Sequence, residues 1–267
     1  MKTLIALYLS ICMMLGACAV PEQQPTTVVH CPIETVVQQL VIPEDASSQE
    51  AAQLYADYYG FNVEEYPERI LKLYDKNVDA REFALNYPLE VNKEHTVDIS
   101  EFEDVQGVPL FMQWDARWGY NEYGSAVGGL TACGPTCLAM VAYYYKQDPS
   151  MNPANMMEFA LENNYYVQDR GTAWALMSEG CKEFGLSSEE VPLVETKIQQ
   201  YLEKGVPIIC VVRPGIFTDV GHFMVFVDYI DGKIKINDPN SYINSSQLWD
   251  YDDIKNEISN MWAMFED

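Results

Sequence analysis

The chain has few basic residues and few histidines. Its 267 residues include 16 Lys and Arg against 40 Asp and Glu, which gives a formal net charge of −24. Such a surface repels phosphate backbones, so we do not expect a nucleic acid partner. With only three histidines in the chain, a site that needs an imidazole has few residues to draw on.

The seven cysteines include no Cys-x-x-Cys pair and lack the dense, even spacing of a disulfide framework. A zinc ribbon and a small disulfide-stabilised domain are therefore not indicated. A metal site made of Cys133, Cys137 and His222 would lack an obvious fourth ligand. We expect neither a metal nor a cofactor. Hydrophobic residues make up 48% of the chain, which is enough for a sizeable core.

The chain also lacks an apolar run near its N-terminus that is long enough to span a bilayer, which takes about 20 residues. The run from Leu4 to Met14 follows Lys2 and precedes small residues, which is typical of a signal peptide. Leu15-Gly16-Ala17-Cys18 resembles the lipobox of bacterial lipoproteins. We therefore expect a signal peptide over 1–17, lipid attachment at Cys18 and an extracytoplasmic, membrane-anchored location. A short membrane helix is the alternative.

Composition divides the rest of the chain into four parts. Residues 18–43 are rich in proline and polar residues and predict a flexible stalk, which holds His30 and Cys31. Residues 44–88 predict two or three short helices with ends at Gly60 and Pro88, forming a small bundle or a lid. Residues 89–104 lack apolar periodicity and predict a linker in which His95 is solvated. The main domain spans 105–267.

Within the main domain, helical patterns come first and strand patterns follow. Helices are predicted over 134–147, 153–163, 172–185 and 195–204, and strands over 206–213, 222–230 and 233–238. Asp231-Gly232 marks a tight turn between the last two strands. Residues 249–265 are expected only to pack at the end of the sheet. This order favours an α+β domain with an antiparallel sheet.

Cys133 is the candidate nucleophile because it stands directly before Gly134-Pro135-Thr136, where a helix is predicted to begin. Proline is tolerated in a first helical turn, and the glycine leaves room for a substrate's backbone. Unpaired N–H groups at a helix start favour a thiolate. A buried core cysteine is the alternative for Cys133, and it is the preferred interpretation for Cys137.

His222 is the only histidine of the main domain and begins a predicted strand, so it is the candidate base for Cys133. Asp238, at the end of the next strand, could orient its imidazole. With a two-residue turn, Asp238 would point to the face opposite His222. With a bulge at Gly232, both residues share a face, so a catalytic pair predicts the bulge. Asn240 is the alternative orienting residue.

Gln113 lies upstream, in the segment PLFMQWDARWGY. Its side-chain amide could donate a hydrogen bond to a developing oxyanion, together with the backbone N–H of Cys133. The neighbouring Trp114 and Trp118 are expected to belong to the core or to the wall of a cleft.

Two segments carry a family resemblance: QWD-x-x-WGY followed by CGPTCLAMV, and GHFMVFVDYIDGKIKINDP. Over residues 105–265 the chain resembles bacterial cysteine peptidase-like domains related to the bacteriocin-processing (double-glycine) peptidases. The resemblance implies a papain-like fold with Cys133 as nucleophile, His222 as base, Asp238 as orienting acid and Gln113 as oxyanion donor. No ATPase or membrane domain of the transporter-fused members is seen, so cleavage of leader peptides is not assumed.

Two functions follow from these expectations. The first is a hydrolase that cleaves peptide or amide bonds by a Cys-His-Asp mechanism. The second is a catalytically silent binding or scaffold module that holds a peptide or a cell-wall component. An enzyme requires the Cys133 thiol to be accessible and within hydrogen-bond reach of His222, whereas a binding module does not.

Overall fold

The computed structural model describes residues 40–168 and 170–267. The predicted signal peptide and most of the stalk, including Cys18, His30 and Cys31, lie outside the described residues. The described chain divides into two compact units, of which the first ends at Glu65 and the second is Tyr66–Asp267. Within these residues, no helix is long and apolar enough to cross a membrane.

The first unit contains helix α1, Ser48–Tyr59. Its start is a capping box: the Ser47 side chain accepts from the Glu50 N–H at 3.3 Å, and the Glu50 carboxylate accepts from the Ser47 N–H at 3.0 Å. Gly60 ends the helix in the left-handed region with φ of 80°. The predicted helix start and glycine stop are both confirmed.

The second unit opens with helices α2, Glu68–Lys76, and α3, Arg81–Glu90. The predicted end of α3 at Pro88 is wrong, because the helix continues to Glu90. Pro88 lies in the last turn and removes only one helical N–H, while the Val91 N–H still donates to the Tyr87 carbonyl at 3.0 Å. Proline therefore does not break this helix.

Seven further helices follow in the described chain. They are α4 Gly128–Thr131, α5 Cys133–Lys146, α6 Pro153–Glu162, α7 Ala175–Ser178, α8 Glu195–Leu202, α9 Tyr242–Ser246 and α10 Tyr251–Ile254. The single helix predicted over 172–185 is instead α7 followed by a 3₁₀ turn, Gly180–Phe184. Its predicted end at Gly185 is confirmed by a left-handed φ of 66°.

Six strands form the main antiparallel sheet, in the order β5-β10-β6-β7-β8-β9, and four short strands form two hairpins. The ranges are β1 Glu122–Tyr123, β2 Ala126–Val127, β3 Tyr166–Val167, β4 Gly171–Thr172, β5 Leu186–Glu190, β6 Ile208–Val212, β7 His222–Ile230, β8 Lys233–Asn237, β9 Leu248–Trp249 and β10 Ile258–Glu266. The predicted α+β class with an antiparallel sheet is confirmed.

Strand β10 corrects the expectation that residues 249–265 only pack at the end of the sheet. It lies inside the sheet, between β5 and β6, with Trp262 paired to Ile209. From Met261 to Met264 every residue of the strand is buried. A strand covered on both faces reads as a continuous apolar run, and such a run carries no strand periodicity.

The sheet separates two hydrophobic clusters, and α5 belongs to one of them. In β6, Ile209 and Val211 face the cluster that contains α5, whereas Cys210 and Val212 face the cluster that contains α8. Helix α5 packs against β7. The helix that starts at Cys133 is thus fixed against the strand that starts at His222.

The β7–β8 hairpin contains a bulge, although not at the predicted place. Ile230 pairs with Lys233 across a two-residue turn in which Asp231 and Gly232 have φ of 51° and 81°. These positive angles suit a tight hairpin turn, so the bulge expected at Gly232 is wrong. The register instead shifts at Val227, between Phe226 and Asp228. This shift moves Asp238 to the same face of the sheet as His222.

The segment predicted as a linker, 89–104, contributes to the packed second unit. Ile99 is buried in the core. A ring nitrogen of His95 lies 3.1 Å from the Glu90 carbonyl oxygen, and its ring stacks on Tyr120 with 5.4 Å between centroids. The expectation of a solvated His95 is therefore wrong, since its side chain is only 13% exposed.

Candidate active site

Cys133 is the first residue of α5 and directly follows the buried Ala132. Its side chain is partly exposed, whereas Cys137, one turn further along, is fully buried. The backbone N–H groups of Gly134 and Phe223 both help to lower the pKa of the Cys133 thiol. The partly exposed cysteine thus lies at a helix start and beside strand β7, where N–H groups favour its charged form.

Gly134 has a packing role that differs from the expected one. A Cβ atom at this position would lie 2.8 Å from the side chain of Thr172, closer than real contacts allow. The Thr172 hydroxyl is in turn 2.9 Å from the Tyr123 hydroxyl. The space beside Gly134 is thus occupied by the protein and is not left open for a substrate's backbone.

His222 begins β7 and pairs with Val212 at the end of β6. Its side chain is buried, and its Nε2 lies 2.7 Å from Oδ1 of Asp238. The Cys133 thiol also raises the pKa of His222, and because Nε2 is engaged by Asp238, Nδ1 is the ring nitrogen left for the sulfur. The structure thus brings together the three residues that sequence analysis selected as nucleophile, base and orienting acid.

Asp238 is held by its own loop. Its Oδ1 accepts from the backbone N–H of Asn240 at 2.8 Å, and its Oδ2 accepts from the side-chain amide of Asn244 at 2.8 Å. The Asp238 N–H donates to the Ser245 hydroxyl at 2.8 Å. Asp238, and not Asn240, therefore contacts the imidazole. No local pattern marks Asn244 in the sequence, because its contact with Asp238 depends on the fold of helix α9.

The three groups shift one another's protonation. Burial alone would raise the pKa of the Cys133 thiol, but its hydrogen bond to His222 and the imidazole charge hold that pKa below the usual value. Burial alone would lower the pKa of His222, but the Asp238 carboxylate raises it. The His222 charge keeps the pKa of Asp238 lowered despite burial. The geometry therefore favours a thiolate–imidazolium pair.

Gln113 is tied to both halves of the site. Its backbone N–H donates to the Pro239 carbonyl at 2.7 Å, next to Asp238 in the chain. Its side-chain Nε2 donates to the carbonyl of Gly129 at 2.9 Å, four residues before Cys133. This bond uses one of the two amide hydrogens, so the second can serve another acceptor. Of its two neighbours, Trp118 is fully buried in the core, and Trp114 contacts the loop after Asp238.

Residues that precede the main domain also hold this loop. The side-chain amide of Asn77, just after α2, donates to the Asn240 carbonyl at 2.6 Å and to its side-chain oxygen at 3.1 Å. Asp79 accepts from the Tyr242 N–H at 2.9 Å. Trp114 donates to the same Asn240 carbonyl at 3.2 Å. The junction between α2 and α3 therefore fixes the segment that follows the orienting acid.

A family model described as "Peptidase_C39 like family" matches residues 105–267, more than half of the chain. The chain belongs to this peptidase C39-like family. The match confirms the family resemblance and the predicted papain-like fold class. It begins at the boundary that sequence analysis assigned to the main domain and leaves α2 and α3 outside. No curated protein sequence matches the chain.

Several solved structures are similar to the chain, including the following three. The peptidase domain of Streptococcus ComA, a bi-functional ABC transporter involved in a quorum sensing pathway, has 19% identity and a TM-score of 0.41, covering 59% of this chain and 96% of that one. A C39-like peptidase from Bacillus anthracis has 12% identity and a TM-score of 0.42, covering 60% and 95%. A double glycine motif protease from an AMS/PCAT transporter, in complex with the leader peptide, has 18% identity and a TM-score of 0.38, covering 59% and 89%.

Proposed function

We propose that the chain is a cysteine hydrolase that cleaves peptide or amide bonds with Cys133 as nucleophile, His222 as acid and base, and Asp238 as the orienting group. One observation carries the proposal. Nε2 of His222 lies 2.7 Å from the buried Asp238, and the partly exposed Cys133 at the start of α5 and His222 shift each other's pKa in the directions of a thiolate–imidazolium pair. Family membership supports the same reaction class.

In the first half of the reaction, the Cys133 thiolate attacks the carbonyl carbon of the scissile amide. A C–S bond forms, and the carbonyl π electrons move to the oxygen. The His222 imidazolium then gives its Nδ1 proton to the leaving nitrogen, the C–N bond breaks, and the amine departs. A thioester remains on Cys133, and His222 is neutral.

In the second half, neutral His222 takes a proton from water while the water oxygen attacks the thioester carbonyl. The C–S bond breaks, the acid product leaves, and the thiolate–imidazolium pair is restored. Asp238 stays ionised throughout and keeps the ring oriented, since Asn244 and the Asn240 N–H hold both of its oxygens. The acid thus acts through His222 and exchanges no proton.

For the oxyanion we propose the Cys133 backbone N–H and the side-chain amide of Gln113. The Gln113 amide is fixed by its bond to Gly129, so it needs no reordering when charge develops. A substitution of Gln113 by Glu would keep the size of the side chain and place negative charge near the oxyanion. We expect this variant to form the thioester much more slowly.

We also propose that the protein is anchored to the outer face of the membrane through a lipid on Cys18. The support is the apolar run that ends in Leu15-Gly16-Ala17-Cys18. Fractionation of cells that express Cys18→Ser tests it. The Cys18→Ser protein should be absent from the membrane fraction that detergent extracts. The intact mass of the parent protein should show cleavage before Cys18 and added acyl chains.

The rate of iodoacetamide alkylation against pH, followed at each cysteine by mass spectrometry, tests the hydrolase. In the detergent-solubilised full chain, Cys133 should react with an apparent pKa well below the free-thiol value of about 8.5. His222→Ala should return that pKa towards the free-thiol value. His95→Ala is the matched control, since it removes a partly buried histidine that does not contact the thiol.

The two outcomes separate the two candidate functions. Fast labelling that depends on His222 supports an activated pair and justifies screening peptide substrates. Slow labelling that is the same in the parent chain and in His222→Ala would leave a binding module as the better interpretation of the fold.

A further inference from the structure

A pocket of about 730 Å³ lies beside the orienting acid. Three segments line most of it: α2 with the residues 77–79 that follow it, the loop 215–220 that precedes His222, and residues from Asp238 to Asn244. Helix α2 lies outside the residues 105–267 that the family model matches. Part of this pocket is therefore built by a segment that the family domain does not supply.

The pocket adjoins the catalytic groups at two points. Asp238 lines it and is hydrogen-bonded to His222. Leu130 also lines it and precedes Cys133 by three residues. Asp238 and Leu130 thus place the pocket next to the segments that carry the candidate acid and the candidate nucleophile, so a peptide that extends beyond the pocket can approach the thiolate.

Exposed apolar side chains surround the pocket. Val78, Ile216, Val220 and Ile243 line it and are 55%, 56%, 67% and 53% exposed. One exposed apolar side chain is ordinary on a protein surface, but four around a single concave site form a patch that marks a contact surface. The occupant therefore brings apolar groups of its own.

The helix α2 contributes positive charge. Arg69, Lys72 and Lys76 line the pocket and follow one another at spacings of three and four residues, so they lie along one stripe of the helix. Lys76 is paired with Asp219, and Lys72 with Glu68 at 2.6 Å in an exposed pair. Arg69 has no ion pair among the described residues.

The acidic side chains of the pocket are already engaged. Asp238 is paired with His222, Asp79 accepts from the Tyr242 N–H, and Asp219 pairs with Lys76. The lining has three cations for these three acids, whereas the whole chain has 16 for 40. Because Arg69 has no ion pair among the described residues and the Lys72–Glu68 pair is exposed and weak, these two cations on the α2 wall are the ones that can take up a carboxylate.

We propose that this pocket recognises the substrate by binding a peptide segment that combines apolar side chains with at least one Asp or Glu, and that Arg69 and Lys72 are specificity residues. The proposal rests on the proposed hydrolase function and names its substrate class. An anionic membrane surface fits less well, since the site is concave and the protein carries a net charge of −24.

Binding to two labelled peptide pools tests the proposal. In the first pool of hexapeptides, Leu, Ile or Val alternates with Glu, and in the second pool Gln replaces Glu. Fluorescence anisotropy is measured with the detergent-solubilised full chain carrying Cys133→Ser, which removes cleavage. We expect the Glu pool to bind at least about threefold more tightly at low salt and the difference to shrink at high salt.

The variant Arg69→Glu with Lys72→Glu should abolish the preference for the Glu pool. The matched control is Lys197→Glu with Lys204→Glu, which makes the same change in charge at exposed sites outside the pocket and should keep the preference. The proposal is overturned if the two pools bind alike, or if the control loses the preference as fully as the α2 variant. It is also overturned if short-chain phosphatidylglycerol binds in an Arg69-dependent manner and the Glu pool does not.

The charge of an alkylating reagent gives a second readout. Iodoacetate is anionic and iodoacetamide is neutral, so the ratio of their rates at Cys133 reports the local potential. The double α2 variant should lower this ratio about threefold at low salt. If the ratio of iodoacetate to iodoacetamide rates is unchanged in this variant, Arg69 and Lys72 do not set the potential near Cys133. If the rate of Cys133 alkylation does not depend on His222, the proposed hydrolase function is contradicted. The peptide preference is then judged by fluorescence anisotropy alone.

Discussion

The contact between His222 and Asp238 leads to the sharpest test of the site, the substitution Asp238→Asn. The amide keeps the shape of the side chain and its Oδ1 can still accept from Nε2, but the negative charge is lost. Two unit charges about 4 Å apart interact with ~4 kcal/mol at an effective dielectric constant of about 20, which corresponds to about three pKa units. Because the retained hydrogen bond supplies part of this, we expect the pKa of His222 to fall by about two units.

The sign of the effect follows from which form is active. The reactive pair needs His222 protonated, and its raised pKa keeps the ring protonated as the pH rises past the ordinary histidine range. Lowering that pKa moves the alkaline limb of the rate profile to lower pH. The acidic limb, which reports the Cys133 thiol, should stay in place, because His222 remains fully protonated in the acidic range. The active pH range should therefore narrow from its alkaline side.

The assay is the rate of peptide cleavage across pH once a substrate is found. Before that, it is the rate of Cys133 alkylation by anionic iodoacetate, which the imidazolium attracts, so that the reaction slows as His222 loses its proton. Asp231→Asn is the matched control. It removes one charge from the same hairpin, and asparagine tolerates the left-handed φ of 51° at that turn position. If the alkaline limb of Asp238→Asn coincides with that of the control, the carboxylate does not raise the pKa of His222 and the proposed role of Asp238 is wrong.

Three further predictions concern other contacts of the site. Asn77→Ala removes two hydrogen bonds to Asn240, each with a net stabilisation of about 1 kcal/mol, and should slow alkylation of Cys133 about threefold and raise its apparent pKa. Gly134→Ala forces a Cβ against Thr172 and should lower the free energy of unfolding by about 1–3 kcal/mol in urea denaturation. Peptide mapping after brief iodoacetamide treatment should find label on Cys133 and none on Cys137, because burial raises the pKa of the Cys137 thiol.

Each of these predictions has a result that would contradict it. For Asn77→Ala, the pH profile of alkylation is decisive, since a purely structural loss would lower stability and leave the apparent pKa of Cys133 unchanged. The control for this variant is Asn163→Ala, at an exposed helix end. Unchanged urea denaturation of Gly134→Ala would mean that Thr172 can move aside. Early labelling of Cys137 would mean that helix α5 opens readily.

The proposed catalytic residues could be selected from sequence because each stands in a distinctive local pattern or is one of few residues of its type. Cys133 precedes a glycine and a proline at a helix start, and His222 is the one histidine in the strand-forming part of the domain. The hairpin that joins His222 to Asp238 has an Asp-Gly turn, which specifies its own geometry. Each of these signals spans only a few residues, so each can be recognised without knowledge of the tertiary contacts.

The remaining features depend on contacts between distant segments. Asn244 holds Asp238 through a helix of five residues, and Asn77 reaches the same loop from 163 positions earlier in the chain. Strand β10 lacks a periodic pattern because both faces of its buried part are covered. His95 belongs to a polar segment, and its stacking on Tyr120 depends on how that segment folds back on the domain. No local rule distinguishes such residues from ordinary surface positions.

The extra residue at Val227 separates two properties of the hairpin that would otherwise be coupled. Its tight turn is fixed by Asp231 and Gly232 at the solvent-exposed end, while the side of the sheet on which Asp238 emerges is decided four residues earlier, in the body of the strand. The turn is therefore free to vary in sequence without changing which side the acid occupies. Loss of a single residue near Val227 would instead leave a well-formed hairpin whose acid faces away from its histidine, so the protein could stay folded and lose its chemistry in one step.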